Sequence, residues 1–266
     1  MPKERSSATV KSIMKSNETP LLQVENLEFG FEKNKPILKN ISFTIPKGSF
    51  TLITGPNGSG KSLLLKCIKG LLKPSSGTIL IDGEDLTKHP KKRLTSVGLV
   101  FQDSDTQIVG QTVERDILFG LENLQLPLAE QTKKLEEVVT LLDLSKQLNQ
   151  RPRTLSGGEK RRLSIAGVLV MEPKLLIMDE PFANLDYPSV LQVLKTLLAL
   201  KGEGHTIILV SHEVEKVLAY IDLALILEQG NLTLQGHPAQ LYTQFRSHGV
   251  YVPQEGTIEE LTWLKH

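Results

Sequence analysis

Gly55-Pro-Asn-Gly-Ser-Gly-Lys61-Ser62 is the stretch from which the rest of the chain can be read. It follows the apolar run Phe50–Thr54 and precedes the helical run Leu63–Gly70, which predicts a loop joining a buried strand to a helix. Its pattern is G-x-x-x-x-G-K-[ST]. Gly55, Gly58 and Gly60 let the backbone turn tightly, so that N–H groups of Asn57, Ser59 and their neighbours point inward beside a helix N-terminus. Such a loop is a cradle for polyphosphate, with Lys61 reaching the β/γ-phosphates and the Ser62 hydroxyl available to Mg²⁺. Further apolar runs lie outward from this loop at Thr78–Ile81, Val97–Phe101, Leu175–Met178, Thr206–Val210 and Leu223–Leu227. Being continuous rather than alternating, most of them read as strands buried on both faces, the mark of a parallel sheet covered by helices. The fold class is therefore α/β.

Between Asp103 and Met171 the strand-like runs stop and a helical rhythm replaces them. It is clearest in Glu130–Leu144, where Leu135, Val138, Leu141 and Leu142 share one face and Lys133, Lys134, Glu136 and Glu137 the other. A helical insertion of about 103–171 thus interrupts the sheet domain, expected over 21–236. Residues 1–20 are expected to be a mobile tail, with a transit peptide as the alternative, and 237–266 a short C-terminal appendage.

The 266 residues carry 31 basic and 30 acidic side chains, a balance without the electrostatic footprint that holds a protein on DNA or RNA, so no nucleic-acid partner is expected. Cys67 is the single cysteine, which excludes an internal disulfide or a Cys-rich zinc site and fits a reducing compartment. Every apolar run is cut by charge or glycine well short of the roughly 18 to 20 residues a membrane span requires.

A second half of the nucleotide site lies at Leu175-Leu-Ile-Met-Asp179-Glu180, an apolar strand ending in two carboxylates. Buried charges are unfavourable unless metal or hydrogen bonds offset them. Beside the first loop, a Walker A motif, this strand reads as a Walker B. Asp179 then holds Mg²⁺ and Glu180 polarises the water that attacks the γ-phosphate. The bland alternative is a solvated strand end.

Leu155-Ser156-Gly157-Gly158-Glu159-Lys160 joins these motifs, and together they resemble the ABC ATPase family, whose signature sequence this stretch matches except for Glu159 where Gln is usual. Ser156-x-x-Glu159 is also a capping box at a helix start, and both readings can hold. The resemblance runs from Leu21 to about Gly236. It implies a P-loop NTPase, RecA-like core with a mostly parallel sheet, an antiparallel β subdomain and an inserted α-helical subdomain. It implies that Ser156, Gly157 and Gly158 face the γ-phosphate held by a second subunit, giving a head-to-tail dimer with ATP and Mg²⁺ shared between chains. Gln102 resembles the Q-loop glutamine that touches metal and attacking water. Ala183-Asn-Leu-Asp186 resembles the D-loop, with Asp186 at the nucleotide across the dimer, and His212 the switch histidine that senses the γ-phosphate. Phe31, after Leu27 and Phe29 at period two, either stacks on adenine in place of the family's usual tyrosine or belongs to the core.

Val100-Phe-Gln-Asp-Ser-Asp105-Thr-Gln107, followed by Thr112-Val-Glu-Arg-Asp-Ile-Leu-Phe-Gly120, is similar to the ATPases of energy-coupling-factor importers and their cobalt and nickel relatives. Asp105 and Gln107 match that group's Gln-Asn-Pro-Asp-x-Gln, while Ser104 stands where it has proline; the alternative is a polar turn in another importer's ATPase. The resemblance implies a peripheral ATPase on the cytoplasmic face of the membrane, energising uptake of a vitamin or transition-metal ion. Its partners would be transmembrane transporter subunits, a substrate-binding membrane component and an identical or homologous second ATPase. Two other classes compete: a soluble ABC ATPase acting on DNA or ribosomes, and a P-loop regulator or kinase. The first usually carries long coiled coils or two motif sets, and the signature argues against the second.

Overall fold

A computed structural model of the chain describes residues 19–32, 35–253 and 257–264. The tail expected over 1–20 therefore falls, up to residue 18, outside the described residues. In chain order the elements are β1 (Leu22–Phe29), β2 (Leu38–Ile45), β3 (Phe50–Thr54), α1 (Lys61–Lys69), β4 (Ser76–Ile81), β5 (Glu84–Asp85), α2 (Pro90–Ser96) and β6 (Val97–Val100). Then follow α3 (Ser104–Gln107), α4 (Val113–Asn123), α5 (Leu128–Leu141), α6 (Gly157–Leu169), β7 (Leu175–Asp179), α7 (Tyr187–Gly202), β8 (Thr206–Val210), β9 (Leu223–Glu228), β10 (Asn231–Gly236) and α8 (Pro238–Leu241).

One sheet has the order β10-β9-β3-β8-β7-β6, with β9, β3, β8, β7 and β6 parallel and β10 antiparallel at the edge. Its strands are apolar throughout because both faces are covered. Phe50, Leu52, Leu176, Met178, Ile207 and Leu209 feed the core beneath α4, α6 and α7. Ile53, Leu175, Ile177, Ile208 and Val210, one step out of phase, feed a second core with α1 and the other sheet. Period-two side-chain direction thus distributes one continuous apolar run between two layers.

The second sheet, β2-β1-β4-β5, is antiparallel. The run Thr78–Ile81 belongs here, as part of β4, and not to the parallel sheet; its residues alternate between buried and half-buried, as a strand with one covered face does. In β1 the pairing slips between Val24 and Leu27 and again between Leu27 and Phe29. Asn26 sits at φ +47° in that bulge, its N–H donating to Ser42 Oγ at 2.8 Å.

Helices α3 to α6 lie between β6 and β7. In α5, Leu135, Val138 and Val139 are buried and Leu142 closes the helix end in the same core. Lys134, expected on the polar face, is mostly covered and pairs with Glu172. The residues after β10 fold back onto the first core, where Phe245, Val250 and Val252 are buried.

Candidate functional site: a polyphosphate cleft at the strand ends

The loop after β3 is held from behind by β9. A side chain at Gly55, which sits at φ +137°, would place its Cβ 2.0 Å from the Leu227 carbonyl oxygen, so only glycine lets the strand turn here. Gly58 and Gly60 are also left-handed, and the Ser59 carbonyl accepts the Gly230 N–H at 3.1 Å from the β9–β10 turn. Lys61 opens α1 but lies folded against its own loop. Its Nζ donates to Gly55 O at 2.7 Å, Pro56 O at 3.0 Å and Ser59 Oγ at 3.4 Å, and burial lowers its pKa against the pull of Glu180 and Asp179.

Strands β7 and β8 bring the acidic half to the same end of the sheet. Asp179 is hydrogen-bonded by Ser62, and burial raises its pKa despite Lys61 and Lys66. Glu180 follows at φ +46°, its N–H tied to Val210 O at 2.9 Å. Its carboxylate accepts the His212 backbone N–H at 3.1 and 3.3 Å, and His212 Nε2 lies 3.4 Å from Oε1. Burial pushes the Glu180 carboxyl up; burial, with Lys61 nearby, pushes the His212 imidazole down.

These groups line an open cleft of about 550 Å³ bounded by Asn57, Gly58, Ser59, Gly60, Lys61, Ser62, Gln102, Asp179, Glu180 and His212. A cradle of left-handed glycines, a lysine held by ligand-like oxygens, and an aspartate bonded to the first hydroxyl of α1 fit a magnesium–triphosphate. Phe31 is not among the lining residues. It is 73% exposed and edge-on to Phe29 at 5.1 Å, so the core alternative for this side chain is set aside.

The signature residues Ser156, Gly157 and Gly158 also lie outside the cleft, at the start of α6. Ser156 and Glu159 form a complete capping box: Glu159 Oε2 accepts Ser156 N–H and Oγ–H, both at 2.8 Å, while Ser156 Oγ accepts Glu159 N–H at 3.3 Å. Gln147 Nε2 donates to the other oxygen at 2.9 Å. Those bonds, Ser156 N–H foremost, hold the Glu159 carboxyl below its ordinary value and turn it into its own helix end. Gly158 packs on Ser189, where a Cβ would come within 2.7 Å of Oγ. Asp186 caps α7 by accepting Ser189 N–H at 3.1 Å and is exposed outside the cleft.

Sequence reading missed Arg161. It is buried in α6 and donates from Nη1 to Phe101 O and from Nη2 to Gln102 O, both at 2.6 Å, tying the Gln102 backbone to the signature helix. Gln107 makes the same connection, accepting Phe101 N–H at 2.9 Å and donating to Ser164 O at 3.2 Å. The available signal was a charged pair, Arg161-Arg162, immediately before an apolar run.

A family model described as "ABC transporter" matches residues 38–183. The energy-coupling factor transporter ATP-binding protein EcfA2 of Clostridium perfringens is 37% identical over 251 residues, covering 92% of this chain and 88% of its own. The EcfA protein of Methanocaldococcus jannaschii is also 37% identical, covering 84% and 81% respectively. Among solved structures, cbiO1 from C. perfringens, described as part of the ABC transporter complex cbiONQ, superposes with a TM-score of 0.80 at 37% identity, covering 89% of this chain and 97% of its own. The chain belongs to the ABC transporter family, as an ATP-binding protein related to those of energy-coupling factor transporters.

Proposed function

We propose that the chain is the ATP-binding and ATP-hydrolysing subunit of an energy-coupling-factor importer for a vitamin or transition-metal ion, working at the cytoplasmic face of the membrane in a dimer with an identical or homologous ATPase. One observation carries most weight. Lys61, Asp179, Glu180 and His212 converge on one cleft while Ser156, Gly157 and Asp186 present polar groups outside it, which supports a nucleotide site finished by another chain.

In this reading the triphosphate takes over Lys61 from the loop carbonyls and draws the inward N–H groups of Asn57–Ser62 onto its β- and γ-oxygens. Ser62 and Asp179, with Gln102, would hold Mg²⁺, which would supply charge neutralisation at the phosphates. Glu180, already tethered by His212, orients the attacking water; His212 reports the γ-phosphate. Ser156 and the first N–H groups of α6 donate to the phosphate from the opposite chain, so ATP draws the subunits together by its higher affinity for the closed arrangement. Phe31, exposed beyond the cleft, stacks on the base in this reading.

The helical insertion offers the mechanical output. A second cleft of about 460 Å³ lies between Ile108–Gln111 and Arg151–Arg153, with Val109 64% exposed at its rim. Its mixed lining, with Ile108 and Val109 beside Asp105, Arg151 and Arg153, suits a cytoplasmic helix of a transmembrane subunit. Among the described residues no helix is long and apolar enough to cross a membrane, so the span is assigned to partners.

The test is gentle detergent extraction followed by an ATPase assay. Co-purifying membrane subunits, and loss of nucleotide binding or turnover in Lys61→Ala, are the expected results. Turnover in Lys61→Ala equal to wild type would remove the cleft assignment, and co-purified nucleic acid in place of membrane subunits would remove the transport reading.

A further inference from the structure

The segment from Glu180 to Asp186 is held in an unfavourable backbone course. Glu180 and Asn184 are both left-handed, at φ +46° and +61°, and neither is glycine. Conformations of that kind persist only where the surroundings over-determine them. Part of the bracing is local: Phe182 is buried between them, and Asp186 caps α7. The far end of the chain packs next to it.

Residues 257–264 form a strap beside the start of α7, where this segment ends. Ile258 is anchored in the first core, Thr262 Oγ1 meets Tyr220 Oη at 2.6 Å, and Leu264 N–H donates to the same oxygen at 3.1 Å. Between these anchors Trp263 packs its ring against Tyr187 with centroids 5.4 Å apart. Lys216, paired with Glu213, has Nζ 5.5 Å from the Trp263 ring centre and 6.0 Å from that of Phe182. The strap therefore touches Tyr187 directly, at the residue after Asp186, and reaches Phe182, two residues after Glu180, through one lysine.

We infer that Trp263 is a positioning residue for the Glu180–Asp186 segment, fixing the carboxylate that orients water and the turn that meets the second subunit. This rests on the hydrolase reading above. Because the ring contacts of Trp263, with Tyr187 and Lys216, are to residues outside the lining of the triphosphate cleft, its loss should spare nucleotide affinity and act on turnover. It is also the chain's single tryptophan, so intrinsic fluorescence reports directly on the strap.

The experiment compares wild type, Trp263→Ala and Trp263→Phe as the full chain with its co-purified partners. Phosphate release gives kcat and KM, and a fluorescent ATP analogue excited directly gives Kd. We expect kcat of Trp263→Ala to fall by between about tenfold and a hundredfold, the scale of a small misplacement, with Kd unchanged. Trp263→Phe, which keeps an aromatic face toward Tyr187 and Lys216, should retain most of the turnover. In the wild-type chain on its own, where Trp263 is the single tryptophan, Mg²⁺-ATP should shift the emission. A Trp263→Ala kcat equal to wild type overturns the inference, as does a Kd that weakens in step with kcat, the sign of general unfolding. A wild-type chain that releases no phosphate would instead sink the hydrolase reading, and the strap's role with it.

Discussion

Glu180 and His212 are joined at two points, through the His212 backbone N–H to both carboxylate oxygens at 3.1 and 3.3 Å and through Nε2 at 3.4 Å from Oε1. A strand-end histidine that both holds and faces the acidic residue couples the proposed water-orienting group to β8. Replacing Glu180 by Gln keeps the size of the side chain and leaves an oxygen to accept the His212 N–H, but removes the charge. Turnover should fall by about two to four orders of magnitude with ATP binding retained. Single-turnover phosphate release alongside equilibrium nucleotide binding separates the two, and wild-type release would take Glu180 out of its role.

Asp179 is a charge the nucleotide-free fold tolerates poorly, since burial raises its pKa. Asp179→Asn should therefore unfold at a higher temperature than wild type without ligand, yet gain less from Mg²⁺-ATP. Melting curves with and without Mg²⁺-ATP give both differences. An unliganded variant less stable than wild type would mean that the Ser62 contact outweighs the burial of charge.

Glu159 spends its acceptor capacity on Ser156 and Gln147. In Glu159→Gln one carboxylate oxygen becomes an amide donor, so the capping box weakens by about 0.5–1 kcal/mol once solvent screening is allowed for. The same change frees the Ser156 hydroxyl and removes a negative charge near incoming phosphate, so KM for ATP should decrease. A KM that rises would show that the capping geometry matters more to phosphate than the lost charge.

Asp82 joins the two sheets electrostatically, accepting Lys174 Nζ at 2.8 Å and lying 2.5 Å from Lys47 Nζ. Hydrogen bonds from Lys174 and Lys47 lower its pKa from 3.8 to about 2. A depressed carboxylate favours folding above its unfolded value, and that contribution disappears as pH falls from 3.8 toward 2. Asp82→Asn should flatten the acid limb of the stability curve in that window, and added salt should shrink the effect in wild type. Identical acid limbs in the two proteins would contradict it.

The residues that line the candidate cleft could be picked out because they sit at strand ends and in a loop whose spacing has one strong physical meaning. Continuous apolar runs marked β3, β7, β8 and β9 because both of their faces are buried. The antiparallel sheet was harder to read. Bulges in β1 break period two at Asn26, and β2 mixes exposed and buried positions so that no run stands out. Arg161 and Arg162 escaped notice for a different reason. Helix α6 is buried nearly all round, so it has no polar face against which an inward charge would look displaced. The strap through Trp263 could not be foreseen, since its contacts with Tyr187 and Lys216 join segments far apart in the chain.

Shared gripping of one triphosphate by two chains is tested most directly by sedimentation of the Glu180→Gln protein with its natural partners, with and without Mg²⁺-ATP. ATPase subunits should pair when nucleotide is added, and the pairing should disappear when Ser156→Asp is introduced as well, because a carboxylate then faces the phosphate. ATPase subunits that stay single under saturating nucleotide, or that pair equally well with aspartate at position 156, would contradict the account.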